Sequence, residues 1–266
     1  YILNNKRTKG LKVMKNNVLF KASVIGAAAA LSLAAVLGGC GKKTASQTGE
    51  NIVPIEQPQD GTQGDNGNAE NAPKYEVKLD ERTADTQYSY GEDDISLVDT
   101  VSGKKIVLGQ TKAEIESVTG EAKETDADYV TYDGVIVRYA DDKAVTLLVS
   151  NGKFEGNSAT RYKTSRGVGL GTTRDDFSKA YGDNVNQGSE STDENGNVEK
   201  TASRAVRYFE KDGSDMKFLG TKLTSEQKSK NNDKSNYYIQ DFMFSNKDGN
   251  IATMRVSLYE AAFGGM

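Results

Sequence analysis

Ile106-Val-Leu-Gly-Gln-Thr-Lys-Ala-Glu-Ile-Glu-Ser-Val-Thr-Gly120 and Val168-Gly-Leu-Gly-Thr-Thr-Arg-Asp-Asp-Phe-Ser-Lys-Ala-Tyr-Gly182 align without a gap, 62 residues apart. In each stretch a short apolar strand ends at a glycine, Gly109 or Gly171, and a threonine two residues later, Thr111 or Thr173, stands where a helix needs a cap. An acid follows three residues on, Glu114 or Asp176, placed to close a capping box or to favour the positive helix end. Ile115 and Val118, matched by Phe177 and Ala180, give each helix one apolar stripe, and Gly120 and Gly182 fall where a left-handed C-terminal cap is wanted.

Working outward, each helix is followed by β-type segments. After the first come Tyr129-Val-Thr-Tyr132, Val135-Ile-Val-Arg-Tyr139 beyond an Asp133-Gly134 turn, and Ala144-Val-Thr-Leu-Leu-Val149. After the second come Ala205-Val-Arg-Tyr-Phe209, Met216-Lys-Phe-Leu219, Tyr238-Ile-Gln-Asp-Phe-Met-Phe244 and Ile251-Ala-Thr-Met-Arg-Val-Ser-Leu-Tyr259. The last alternates cleanly, with Ala252, Met254, Val256 and Leu258 on one face and Thr253, Arg255, Ser257 and Tyr259 on the other. Tyr75-Glu-Val-Lys-Leu79 and Ile95-Ser-Leu-Val98 are earlier strands. The expected fold is α+β, two tandem repeats of a short helix followed by an antiparallel meander packing on it, spanning 74–157 and 158–266.

Upstream, Leu37-Gly38-Gly39-Cys40 closes an uncharged run over 22–36 that follows Lys15 and Lys21, and Cys40 is the only cysteine of the 266 residues. The run is short of the roughly 20 apolar residues a membrane span needs. The pattern resembles the bacterial lipobox, and the resemblance implies that residues 1–39 are a signal peptide and that Cys40 becomes the lipid-bearing first residue. Met14 begins a conventional signal sequence, so 1–13 are read as lying upstream of the true start. From 40 to 73 the chain is polar and carries all three prolines, Pro54, Pro58 and Pro73, which reads as a disordered tether. About 33 such residues reach roughly 30 Å. The expected location is the cell membrane, lipid-anchored and facing the extracellular side, or the periplasm in a diderm.

Histidine is absent, and the chain beyond residue 39 carries 28 basic and 38 acidic side chains, a formal charge of −10. Nucleic acid is thereby an unfavourable partner, and catalysis or zinc binding through histidine is excluded. Neither a metal nor a cofactor is expected. Gly167-Val-Gly-Leu-Gly171 lacks the βαβ setting of a phosphate loop. Ser225-Glu-Gln-Lys228 has the S-x-x-K spacing of penicillin-interacting serine enzymes, but in a polar run read as a surface loop. Asp193-Glu-Asn-Gly-Asn-Val-Glu199 alternates oxygen ligands without glycine at the sixth place of a calcium loop, and reads as a hairpin tip.

The strand, Gly-x-Thr turn, short helix and glycine, made twice and each followed by a meander, resemble the repeat of the β-lactamase inhibitory proteins and the related unit of the outer-membrane assembly lipoprotein BamE. Thr164-Ser-Arg-Gly-Val-Gly-Leu-Gly171 running into Tyr181-Gly182 is similar to segments of uncharacterised lipoproteins of Gram-positive bacteria. The resemblance covers 95–262, implies a fold and an export route, and carries no catalytic residue. In that family a concave sheet face binds another protein. Here the strands place Arg138, Tyr139, Arg207, Tyr208, Arg255 and Tyr259 as the candidate partner-binding face, since Tyr and Arg dominate recognition surfaces. The expected function is a membrane-anchored, non-catalytic module that binds or assembles an envelope protein. The alternatives are an envelope enzyme acting on glycan or peptide through carboxylates such as Asp126, Asp128 or Asp241, and a small-ligand carrier.

Overall fold

A computed structural model describes residues 51–55, 72–188, 190–192, 198–200, 202–229 and 232–263. All of them belong to one compact unit, Ser46–Met266. In chain order the elements are β1 (Ile52–Pro54), β2 (Tyr75–Val77), a 3-10 turn (Glu92–Ile95), β3 (Ser96–Asp99), β4 (Lys105–Val107), α1 (Lys112–Thr119), β5 (Glu124–Asp126), β6 (Tyr129–Thr131), β7 (Ile136–Ala140) and β8 (Lys143–Ser150). There follow α2 (Gly156–Thr160), β9 (Tyr162–Lys163), α3 (Arg174–Tyr181), β10 (Glu190–Thr192), β11 (Val198–Lys200), β12 (Arg204–Asp212), β13 (Asp215–Gly220), α4 (Ser225–Lys228), β14 (Tyr237–Phe244), β15 (Ile251–Leu258) and α5 (Tyr259–Phe263). The class is α+β, mostly strand, and every ladder between named strands is antiparallel.

One sheet of eight strands, ordered β13-β12-β14-β15-β8-β7-β6-β5, dominates. Strands from both sides of residue 158 enter it, joined where Thr253–Ser257 pairs with Thr146–Ser150. A smaller sheet, β4-β3-β9, lies with α1 and α3 on one face of the large one. The core sits between these layers: Ile115 of α1 and Phe177, Ala180 and Tyr181 of α3 meet Val137, Leu147, Phe209, Phe242, Met254 and Val256. Phe177 packs edge-on to Phe242 at 5.0 Å and to Phe244 at 5.3 Å. Each such buried side chain contributes on the order of 2 kcal/mol.

The caps read from the two aligned stretches form. Thr111 Oγ1 accepts from the Glu114 amide at 3.2 Å while Glu114 Oε2 accepts from the Thr111 amide at 2.7 Å. Thr173 Oγ1 accepts from the Asp176 amide at 3.2 Å, and the shorter Asp176 side chain takes the threonine hydroxyl, at 3.1 Å, instead of the backbone. Gly120 and Gly182 close the helices at φ 82° and 79°.

Ile52–Pro54, within the stretch expected to be a disordered tether, pairs with Tyr75–Val77. The correction has a plain cause: Ile52 and Val53 are among the few apolar residues of that stretch, and Ile52 lies opposite the buried Val77. Ser225–Lys228, expected as a loop, is a single helical turn capped by Thr224.

Candidate functional site: the open face of the large sheet

Strand alternation divides the large sheet into a covered face and an outer face. On β12, Ala205, Arg207 and Phe209 turn to the helices and are fully buried, while Arg204, Val206, Tyr208 and Glu210 turn outward. Cross-strand pairing carries Tyr208 through Ile239, Ser257, Thr146 and Arg138 to Tyr129. A second outer row runs from Val206 through Asp241, Arg255 and Leu148 to Ile136.

Asp241 is the polar centre of this face. Arg204 donates to both of its oxygens, at 2.6 and 2.7 Å, and Arg255 adds a third bond at 2.8 Å. Such a fork is the strong form of an ion pair, and the bond to Asp241 raises the Arg204 pKa. Among the described residues, none offers a hydrogen-bond partner to the buried Arg255 Nε. Arg138 donates to Asp128, whose carboxyl is held below the usual carboxylate range by that bond, and its guanidinium lies 5.6 Å from the Tyr129 ring. The face mixes both signs: Arg138, Arg204 and Arg255 share it with Asp128, Asp241, Glu210 and, opposite Tyr129 on β5, Asp126. Met243, 39% exposed, and Tyr129, 42% exposed, add large apolar surface.

Of the six residues expected to form a partner-binding face, Arg138, Tyr208, Arg255 and Tyr259 come together here, with Tyr259 6.3 Å from Tyr208. Arg207 does not. It is fully buried on the opposite face, donates from Nη2 to the Tyr181 and Gly182 carbonyls at 2.8 and 3.3 Å, and lies 4.7 Å from the Phe177 ring. The free carbonyls and negative end of α3 attract a cation, while burial pulls the Arg207 pKa down. The signal was in the sequence: Arg207 stands two residues from both Ala205 and Phe209, and adjacent residues of a strand cannot share a face. Tyr139 follows Arg138 across a bulge and packs against the core, its hydroxyl 2.9 Å from that of Tyr132. Arg204, Asp241, Met243 and Phe263 join the face unforeseen, although Tyr237, Ile239, Asp241 and Met243 alternate along β14.

The other candidate motifs are accounted for locally. Amides a phosphate would need are engaged: Gly167 donates to the Thr164 carbonyl, Gly169 to Thr172 Oγ1 and Gly171 to the Ile251 carbonyl, each at 2.9 Å. Gly167, at φ +79°, is required by space, because a Cβ there would fall on the Lys78 carbonyl. Ser225 and Lys228 sit on an exposed turn. Asp126 lies on the exposed edge strand β5, away from Asp241 on β14. A depression of about 350 Å³ beside the start of α3 is open and lined by Thr173, Asp175, Ser203, Phe244 and Asp248 among others. Among the described residues no His, Cys, Asp and Glu cluster fits a metal ion, and no helix is long and apolar enough to cross a membrane. Leu37, Gly38, Gly39, Cys40 and most of the 193–199 loop lie outside the described residues.

No protein-family model matches the chain, and no curated protein matches it. Among solved structures it is similar to the crystal structure of a cysteine-rich secretory protein from Staphylococcus aureus subsp. aureus Mu50, at 12% identity and a TM-score of 0.29. The likeness covers 58% of this chain and 44% of that one.

Proposed function

We propose that the chain is a bacterial lipoprotein, anchored through Cys40 to the cell membrane on its outward side, whose outer sheet face binds or assembles an envelope protein without catalysis. The observation that carries the reading is the face itself: Tyr208, Tyr129, Met243 and the Arg204–Asp241–Arg255 cluster, a mixture of aromatic, apolar and guanidinium groups suited to protein recognition. Leu37-Gly-Gly-Cys40 supports the anchor. The paired caps of α1 and α3, and the near-mirrored orders β12-β14-β15 and β6-β7-β8 about the central ladder, support tandem repeats of the kind found in the β-lactamase inhibitory proteins. Of the carboxylates proposed for the rival enzyme, Asp128 and Asp241 are ion-paired to arginine and Asp126 stands on the exposed edge strand β5, so they do not face one another across a cleft as a glycosidase pair does.

The test is in-cell cross-linking of the anchored protein followed by capture. A stoichiometric partner that disappears when Arg204 and Arg255 are changed to Glu, yet persists in Lys228→Glu on the exposed turn, supports the reading. Capture indifferent to the Arg204 and Arg255 changes, or turnover of cell-wall fragments by the protein, refutes it.

A further inference from the structure

Among the described residues no long helix lies over the outer face, yet its middle is dry: Ile239 and Ser257 are fully buried, and Tyr237 and Thr146 nearly so. The cover is α5, which folds back from the end of β15 over β14, β15 and β8. Tyr259 stands 6.3 Å from the rings of both Tyr208 and Tyr237. Phe263, one turn on, packs 5.3 Å from Tyr259 and 5.9 Å from the Arg255 guanidinium. Arg138 Nη1 donates to the Ala261 carbonyl at 3.0 Å. The grip is slight. A five-residue helix is far below the length that holds by itself in water, none of its residues is buried, and Phe263 is 53% exposed.

We propose that α5 is a built-in stand-in for a partner: its seat on the outer face is a docking site for a short helical segment bearing aromatic side chains four residues apart, and binding displaces α5. The inference rests on reading this face as the binding surface and adds the chemistry of the occupant. Tyr208, Tyr237 and Ile239 form an apolar floor for one ring, and Arg255 faces the second. Arg138 donates to a backbone carbonyl between the two rings, as it does to Ala261 of α5. An attached segment competes at an effective concentration in the millimolar range, so the wild-type protein binds with its affinity reduced by the fraction of seats already filled.

The probe is a fluorescent synthetic peptide with the sequence of residues 258–265, titrated into the full-length protein and read by anisotropy. The Tyr259→Ala/Phe263→Ala variant, whose own segment no longer fills the seat, is expected to bind it at least tenfold more tightly than wild type. Adding Arg138→Ala should reverse the gain, and an unchanged urea midpoint certifies the fold. Equal binding by wild type and double variant, or none by either, overturns the proposal. So does hydrogen exchange in which the α5 amides are as protected as those of β14 and β15. If charge reversal of Arg204 and Arg255 abolishes partner capture while the double variant leaves that partner's affinity unchanged, the docking face stands and the stand-in role of α5 falls.

Discussion

Arg161 is the side chain on which two layers of the protein depend. It forks onto Asp99 at the end of β3, at 2.8 and 3.0 Å, and reaches Asp133, in the turn before β7, at 3.0 Å. All three are buried. Burial alone would raise the Asp133 pKa, but hydrogen bonds from Lys123, Ser158 and Arg161 and the charge of Lys123 hold it below the usual carboxylate range. A carboxylate depressed in the folded state contributes stability that is complete above its unfolded pKa of about 3.9 and is lost as pH falls through the lower folded value. Removing Arg161 leaves the buried Asp99 carboxylate without a cation, while Asp133 keeps Lys123 and Ser158; a buried charge left unpaired costs about 3–5 kcal/mol. Arg161→Met should therefore lose that much in urea unfolding at pH 7 and visibly less at pH 4, where protonation relieves the unpaired charge. A loss below about 1 kcal/mol, or the same loss at both pH values, would contradict this account of the network.

At the scale of elements, α1 and α3 share a threonine cap but not its completion. Glu114 is long enough to return a hydrogen bond to the Thr111 amide, and Asp176 is not. Thr111→Ala and Thr173→Ala should each cost about 1 kcal/mol. Glu114→Ala should lower the urea midpoint more than Asp176→Ala, since Glu114 alone satisfies a backbone amide. These caps were legible in the sequence because they are local, and β7, β8, β12, β14 and β15 were legible because alternation and Asp-Gly turns define them. Glu124–Asp126 gave no strand signal, having no apolar face, and is a strand through pairing with β6. Tyr259 continues the alternation of β15, so the sequence extends the strand where the chain turns into α5. That turn depends on the tertiary seat under it. Arg207 was misplaced for a different reason: its residue type spoke for the surface, while its position between Ala205 and Phe209 spoke for the core, and the carbonyl end of α3 decides in favour of position.

At the scale of the molecule, the question is whether two stretches of chain that read as separate repeats behave as one body. The central ladder joins them through five cross-strand pairs, Thr253–Ser257 against Thr146–Ser150. Within it the buried hydroxyls of Thr146 and Ser257 are 2.7 Å apart. Leu147 and Val149 on one side and Met254 and Val256 on the other present their side chains to the same core. Separating the halves would expose those apolar groups and a row of unpaired amides on β8 and β15 while leaving each half a small sheet with a raw edge. Neither half then buries enough surface to stand alone at a few kcal/mol of net stability. The expected outcome is a single unfolding transition. Val137→Ala in the first half and Phe242→Ala in the second should shift the same urea midpoint, with tyrosine fluorescence and far-ultraviolet circular dichroism tracing coincident curves. Two resolved transitions, each moved by one substitution and indifferent to the other, would mean that the ladder is an interface between independent domains and that the outer face, which crosses it, has no fixed shape to offer a partner.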